Sequence, residues 1–185
     1  MKYLEYKFDN YNILVRNIEE AQRIVNEKFE KEEEFFTDPA DPRLLTLPTI
    51  NTDAYIQKVG VDQNNQIAVP DNIHLAGWYI NSVKPGEKGL SIIDGHVDGL
   101  FNPGVFRNLK ELKQEDIFTI EYGNGSIYTF KVVDKKEIST EDAAKVLFSK
   151  NPGIVSQLNL ITCVGVFDPS VQSYDKRLIV IAEKI

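Results

Sequence analysis

Hydrophobic and polar positions follow two different rhythms along this chain. From Leu14 to Phe36 there is no Gly or Pro, Glu, Lys and Ala are frequent, and Ile18, Ala21, Val25 and Phe29 recur at three- and four-residue steps. That spacing predicts an amphipathic helix with one apolar stripe. The charged block from Glu30 to Glu34 reads as its solvated face. Asp38-Pro39-Ala40-Asp41-Pro42 ends the helix, because proline removes a donor and restricts its predecessor. Residues 1–42 are therefore expected to form a helical appendage and linker, and residues 43–185 a separate domain.

From Arg43 onward the period shortens. Apolar runs of a few residues alternate with turn signals, the pattern of an all-β sandwich or barrel. The runs are Leu44–Leu47, Ala54–Val59, Ile67–Val69 before Pro70, Gly77–Ile80 and Ser91–Ile93, which leads into Asp94-Gly95-His96. Val105–Leu112 fits a single helical turn. Ile117–Tyr122 alternates strictly, with Phe118, Ile120 and Tyr122 on one face. Gly123-Asn124-Gly125 supplies the Asn-Gly step of a tight hairpin, and Ser126–Glu137 is the return strand. Ser139-Thr140-Glu141-Asp142 has the hydroxyl cap and acidic first turn of a helix running to about Ser149. Leu158–Gly165 and Arg177–Ile181 close the pattern as strands.

Composition narrows the class. The 185 residues include 42% hydrophobic and 26% charged side chains, enough for a core with a soluble surface. A net charge of −7 argues against duplex nucleic acid as the main partner. The single cysteine rules out an internal disulfide framework, and no His and Cys residues carry zinc-site spacing. No apolar run is long enough to span a membrane. The opening Met1–Lys7 lacks a signal-peptide core, which predicts either a cytoplasmic protein or an anchor lying upstream.

The lone Cys163 ends an apolar strand. Free cysteine is often a small buried hydrophobe, so burial alone accounts for it. The reactive reading needs a base or cation beside the thiol, since only about 3% of an unperturbed thiol is ionised near neutral pH. His96 lies at a strand mouth between Gly95 and Val97-Asp98-Gly99, whereas His74 sits in a polar loop and reads as a surface residue. Arg177 begins the last strand, and its permanently charged guanidinium suits either an oxyanion or a surface ion pair with Asp175.

Leu160-Ile161-Thr162-Cys163 resembles the signature of sortases. Val69-Pro70, Gly77-Trp78-Tyr79, Pro85-Gly86, Gly95-His96-Val97-Asp98, Val105-Phe106 with Leu109 and Leu112, and Phe167-Asp168-Pro169 are most similar to class F members. The resemblance covers about Leu44 to Ile185 and implies an eight-stranded sortase β-barrel. It implies Cys163 as nucleophile, His96 as general acid/base and Arg177 as oxyanion or substrate binder, with no cofactor. Thr162 and Val164 would shape the groove, and Ala143, Val146 and Leu147 would line the peptide site or belong to the core.

Three positions depart from the family pattern: Asn159 stands for threonine, Glu115-Asp116 for a Gly-Asp turn, and Arg177 comes late after Tyr174. The implied reaction is cysteine transpeptidation of an LPxTG-like sorting signal. The implied amine acceptor is a cell-wall precursor or pilin lysine, at the extracellular face of a bacterial membrane. A hydrolytic cysteine peptidase on the same fold and a non-catalytic β-barrel binding module are the alternatives.

Overall fold

The computed structural model describes residues 38–63, 66–170 and 173–185, the backbone of 4–8 and 11–15, and Arg23. The chain divides into two compact units, the second beginning at Thr37. In the first, β1 (Leu4–Phe8) and β2 (Tyr11–Val15) form an antiparallel hairpin. The helix expected from Leu14 does not include its first two residues: Leu14 and Val15 are strand, as the aromatic and branched residues of Tyr11–Val15 favour. Arg23 is helical, and the rest of that expected helix lies outside the described residues.

The second unit is a closed eight-stranded barrel in the order β10-β8-β7-β3-β4-β5-β6-β9. Its strands are β3 (Pro42–Leu47), β4 (Thr52–Val59), β5 (Ala76–Tyr79), β6 (Gly89–Gly95), β7 (Ile117–Tyr122), β8 (Ile127–Ser139), β9 (Ser156–Asp168) and β10 (Ser173–Lys184). The eight-stranded all-β expectation holds. Most pairings are antiparallel, but β4 with β5 and β6 with β9 run parallel. One helix, α1 (Thr140–Leu147), follows β8, and Ser139 caps it by accepting from the Asp142 amide at 3.3 Å.

Alternation decides the interior. Leu45, Leu47, Phe118, Ile120, Phe130, Leu158, Leu160, Leu178 and Val180 fill the barrel, and Phe118 stacks on Phe130 at 5.5 Å between ring centres. Phe106, from the loop after β6, plugs the same core and is fully buried. Truncating such a ring to alanine costs about 3–5 kcal/mol.

Two expectations change. Ile67–Val69 forms no strand: Ile67 makes only an isolated bridge to Val61, because Pro70 follows without a donor and packs its ring over Gly77. Val105–Leu112 contains a short 3-10 turn at Leu109–Glu111. The Asp38–Pro42 break is ordered on the barrel, where buried Asp41 pairs with Lys58 and, at 2.9 Å, with Lys84. Burial raises the Asp41 carboxyl, but the two lysines outweigh it and hold it below its ordinary range.

Candidate active site

Strand β9 sits between β6 and β10, and its two faces do different work. Leu158, Leu160 and Thr162 point into the barrel, so Gln157, Asn159, Ile161 and Cys163 point outward. The first part of that outer face is roofed by the end of α1. Asn159 donates from Nδ2 to the Leu147 carbonyl at 2.7 Å, and Gln157 donates from Nε2 to the Ser149 carbonyl at 3.0 Å. Gln157 also accepts from the Asn151 amide at 2.7 Å. Ile92, Leu147, Ile154, Ile161, Ile179 and Ile181 pack beneath. Cys163 comes next along the face and is half-buried.

Arg177 on β10 pairs with Cys163 across the ladder. The pairing exists because β9 carries one extra residue: Tyr174 pairs with Phe167, whereas Lys176 pairs with Val164. Gly165 provides this bulge at φ +92, and the Asp175 carboxylate accepts from the Val166 amide at 2.7 Å. Without the bulge, register would put Arg177 opposite Val164 and turn it inward. The guanidinium donates to the hydroxyl of Thr140 and to the carbonyls of Tyr174 and Lys176, all at 3.0 Å, and to Ser173 Oγ at 3.2 Å. Among the described residues no carboxylate holds it.

His96 follows β6. The parallel ladder pairs Asp94 with Ile161, and Thr162 Oγ1 then donates to the Gly95 carbonyl at 2.7 Å. Continued by two residues, this register brings His96 level with Cys163. The His96 ring is fixed from the other side, with Nε2 2.8 Å from the Pro70 carbonyl. A carbonyl only accepts, so Nε2 carries the proton and Nδ1 is left with the free lone pair. The backbone is clamped as well: the Phe106 amide donates to the His96 carbonyl at 2.9 Å, and a Cβ on Gly104 would lie 2.3 Å from that oxygen. Beyond it, Asp98 takes Arg107 and, at 3.3 Å, the Tyr174 hydroxyl, which ties this loop to β10.

Electrostatics leave the thiol protonated at rest. Burial pushes Cys163 up, Arg177 pulls it down and Asp94 pushes it up again. Among the described residues no hydrogen bond joins Cys163 to His96, so any proton transfer between them requires closer approach. Asp94 lies on the same face, two residues before His96. Burial raises its carboxyl to about 7, with Arg177 opposing. The face thus combines a thiol, an imidazole with its Nε2–H engaged and a permanent cation, groups of the kinds that thioacyl transfer uses.

The other sequence-derived candidates lie as follows. Thr162 and Val164 alternate with Cys163, so they point toward the interior; Thr162 is buried and bonded to Gly95, and Val164 packs against the barrel core. Ala143 and Leu147 are buried on α1, and Val146 is half-buried beside the same outer cluster. Sequence reasoning missed Asp94, the Pro70 carbonyl and the Gln157–Asn159 pair. Asp94 alone carried a signal, as an acid at the apolar end of Ser91–Ile93.

A family model described as a sortase domain matches residues 45–185. No curated protein is similar enough to match. Among solved structures, sortase A from Corynebacterium diphtheriae is 25% identical with a TM-score of 0.56, covering 80% of this chain. This chain spans 62% of the length of that protein. Sortase C-1 from Actinomyces oris is 24% identical (TM-score 0.57, 87% of this chain and 82% of that one). A Clostridium perfringens sortase D5 transpeptidase is 23% identical (TM-score 0.58, 90% and 94%). The barrel order, the Cys163 face and a family match over most of the length agree, and the chain belongs to the sortase family.

Proposed function

We propose that this protein is a cysteine transpeptidase acting on an LPxTG-like sorting signal, nearest to class F sortases by its motifs. The observation that carries the reading is the register of Cys163, paired with Arg177 on one side and level with His96 on the other. His96 Nδ1 takes the Cys163 proton, and the thiolate attacks the threonine carbonyl carbon. Arg177 and backbone amides stabilise the tetrahedral oxyanion. The C–N bond breaks, His96 returns the proton to the departing glycine amine, and a thioester remains on Cys163. A primary amine from a cell-wall precursor or pilin lysine then attacks that thioester, giving up its proton to His96 and releasing the thiolate.

The apolar cluster by α1, with Ala143, Val146 and Leu147, is the place for the leucine and proline of the signal. Thr162 acts by holding Gly95, and with it the base of His96, while Val164 packs beneath the nucleophile's strand. The site of action is the extracellular face of a bacterial membrane. Among the described residues no helix is long and apolar enough to cross one.

Mass spectrometry of the protein mixed with an LPxTG peptide tests the reading. A thioester adduct on Cys163 that His96→Ala abolishes is expected; no adduct, with His96→Ala indistinguishable from wild type, overturns it. Adding triglycine then separates transpeptidation from a hydrolytic peptidase on the same fold. A native Cys163 inert to alkylation would instead mark a non-catalytic binding module.

A further inference from the structure

Among the described residues, Asp94 is an acid without a hydrogen-bond or ion-pair partner on the face that holds Cys163. Across the sheet its neighbours are Gly77 on β5 and Ile161 on β9, and two residues earlier on its own strand is Ile92. None of these three carries a donor, and two residues later His96 commits its Nε2–H to the Pro70 carbonyl. The space above Gly77 is filled by the Pro70 ring, whose Cγ lies 2.9 Å from where a Cβ would stand. The cation that acts on Asp94 is Arg177, yet its guanidinium is committed to Thr140, Ser173 and the carbonyls of Tyr174 and Lys176. Asp94 is half-buried, and among the described residues no side chain donates to its carboxylate, so water or a bound ligand group must.

The placement says what does. Asp94 is level with Ile161, two residues before Cys163, which is about 7 Å along the strand direction. An extended peptide alongside advances at the same rise, so a group meeting Asp94 sits one to two residues from the carbonyl under attack. It also sits on the α1 side, next to the buried apolar cluster of Ile161, Ile179 and Leu147.

Resting on the transpeptidase reading, we infer that Asp94 is a specificity-determining residue that selects a hydrogen-bond-donating, best a cationic, side chain at the x position of the sorting signal. A lysine there pairs with the carboxylate. A glutamate meets like charge there. An alanine leaves the acid as it was.

The test uses the full chain and four peptides that differ only at x, carrying Lys, Ser, Ala or Glu, with the rate of adduct formation on Cys163 followed by mass spectrometry. Wild type is expected to favour Lys over Glu by about tenfold, the effect of exchanging a repulsive for an attractive charge contact at a half-buried carboxylate. In Asp94→Ala and Asp94→Asn that ratio is expected to fall below about threefold, with Ser and Ala moving closer to Lys. Alkylation of Cys163 and a thermal melt confirm that each variant is folded, and the more conservative Asp94→Asn carries the test if Asp94→Ala is not.

The same ranking in wild type and both variants would overturn the inference while leaving the transpeptidase reading intact. So would an effect confined to the second step with added triglycine, which would make Asp94 a site for the incoming amine. No adduct with any of the four peptides on wild type would instead sink the parent reading, and the inference with it.

Discussion

Arg177 stands directly opposite Cys163 in the β9–β10 ladder, and the single extra residue at Gly165 puts it there. A Cβ on Gly165 would lie 2.0 Å from the Asp175 carboxylate oxygen, and φ +92 is a conformation that side chains resist. Gly165→Ala is therefore expected to destabilise the protein by about 1–3 kcal/mol. Acylation should fall further than the melt implies, because relaxing the bulge turns Arg177 away. Adding Asp175→Ala should recover part of the stability but little of the activity. Thermal melts paired with acylation rates check this, and full recovery of both would show the bulge to be incidental.

Arg177 binds through a fork. It donates to two carbonyls and a hydroxyl from one nitrogen, and to Ser173 from another. Arg177→Lys keeps the charge and loses the fork, so kcat/KM is expected to fall on the order of 100-fold or more, with the melt moving little. A lysine variant near wild-type activity would show that charge alone suffices.

Asp94 makes stability depend on pH in an unusual direction. Its folded carboxyl titrates at about 7, against an ordinary 3.8, because burial disfavours the charged form more than Arg177 favours it. Between about pH 4 and 7 the folded state thus holds a proton that the unfolded chain has released, and this contribution to stability is lost as pH rises through that window. Asp94→Asn should remove the loss, gaining on the order of 2–4 kcal/mol at pH 8 and nothing at pH 4. Because the Asp94 anion pushes Cys163 up, the same variant should alkylate at lower pH. Parallel stability curves for wild type and variant would refute the assignment.

Much of this was legible in the sequence, and the pattern of misses has a physical cause. Ile117–Tyr122 and the Ser139-capped helix came out with nearly their observed bounds, since alternation and capping are local. The ends of β9 and β10 did not. Their apolar runs stop near Gly165 and Ile181, but ladder pairing carries polar residues on to Asp168 and Lys184. The register that pairs Cys163 with Arg177 depends on the Gly165 bulge, which no periodicity announces. The Pro70 carbonyl that orients His96 is backbone, invisible to any search for side-chain chemistry.

One departure in the sequence left a mark on the backbone. Glu115, where a Gly-Asp turn is the family habit, adopts φ 73, a left-handed conformation that costs an L residue about 1–2 kcal/mol. Part of that is offset by the entropy glycine loses on folding. Glu115→Gly is accordingly expected to stabilise by about 0.5–1 kcal/mol in a denaturant titration, despite losing the exposed 3.4 Å pair with Lys131. A loss of stability would mean that the pair matters more than the strain.

The parallel pairing of β6 with β9 has a consequence for how the enzyme comes into being. His96 and Cys163 belong to strands far apart in the chain, and a parallel pair cannot form through a short hairpin. Such non-local contacts form slowly, because the intervening loop must close before they contribute. β9 is also the strand that seals the barrel, against β6 on one edge and β10 on the other. Before the β6–β9 pairing forms, the thiol has Arg177 across the β9–β10 hairpin but no imidazole beside it. On the transpeptidase reading, the pairing that completes the cylinder is also the one that sets the imidazole beside the thiol, so a chain that lacks it is a bystander.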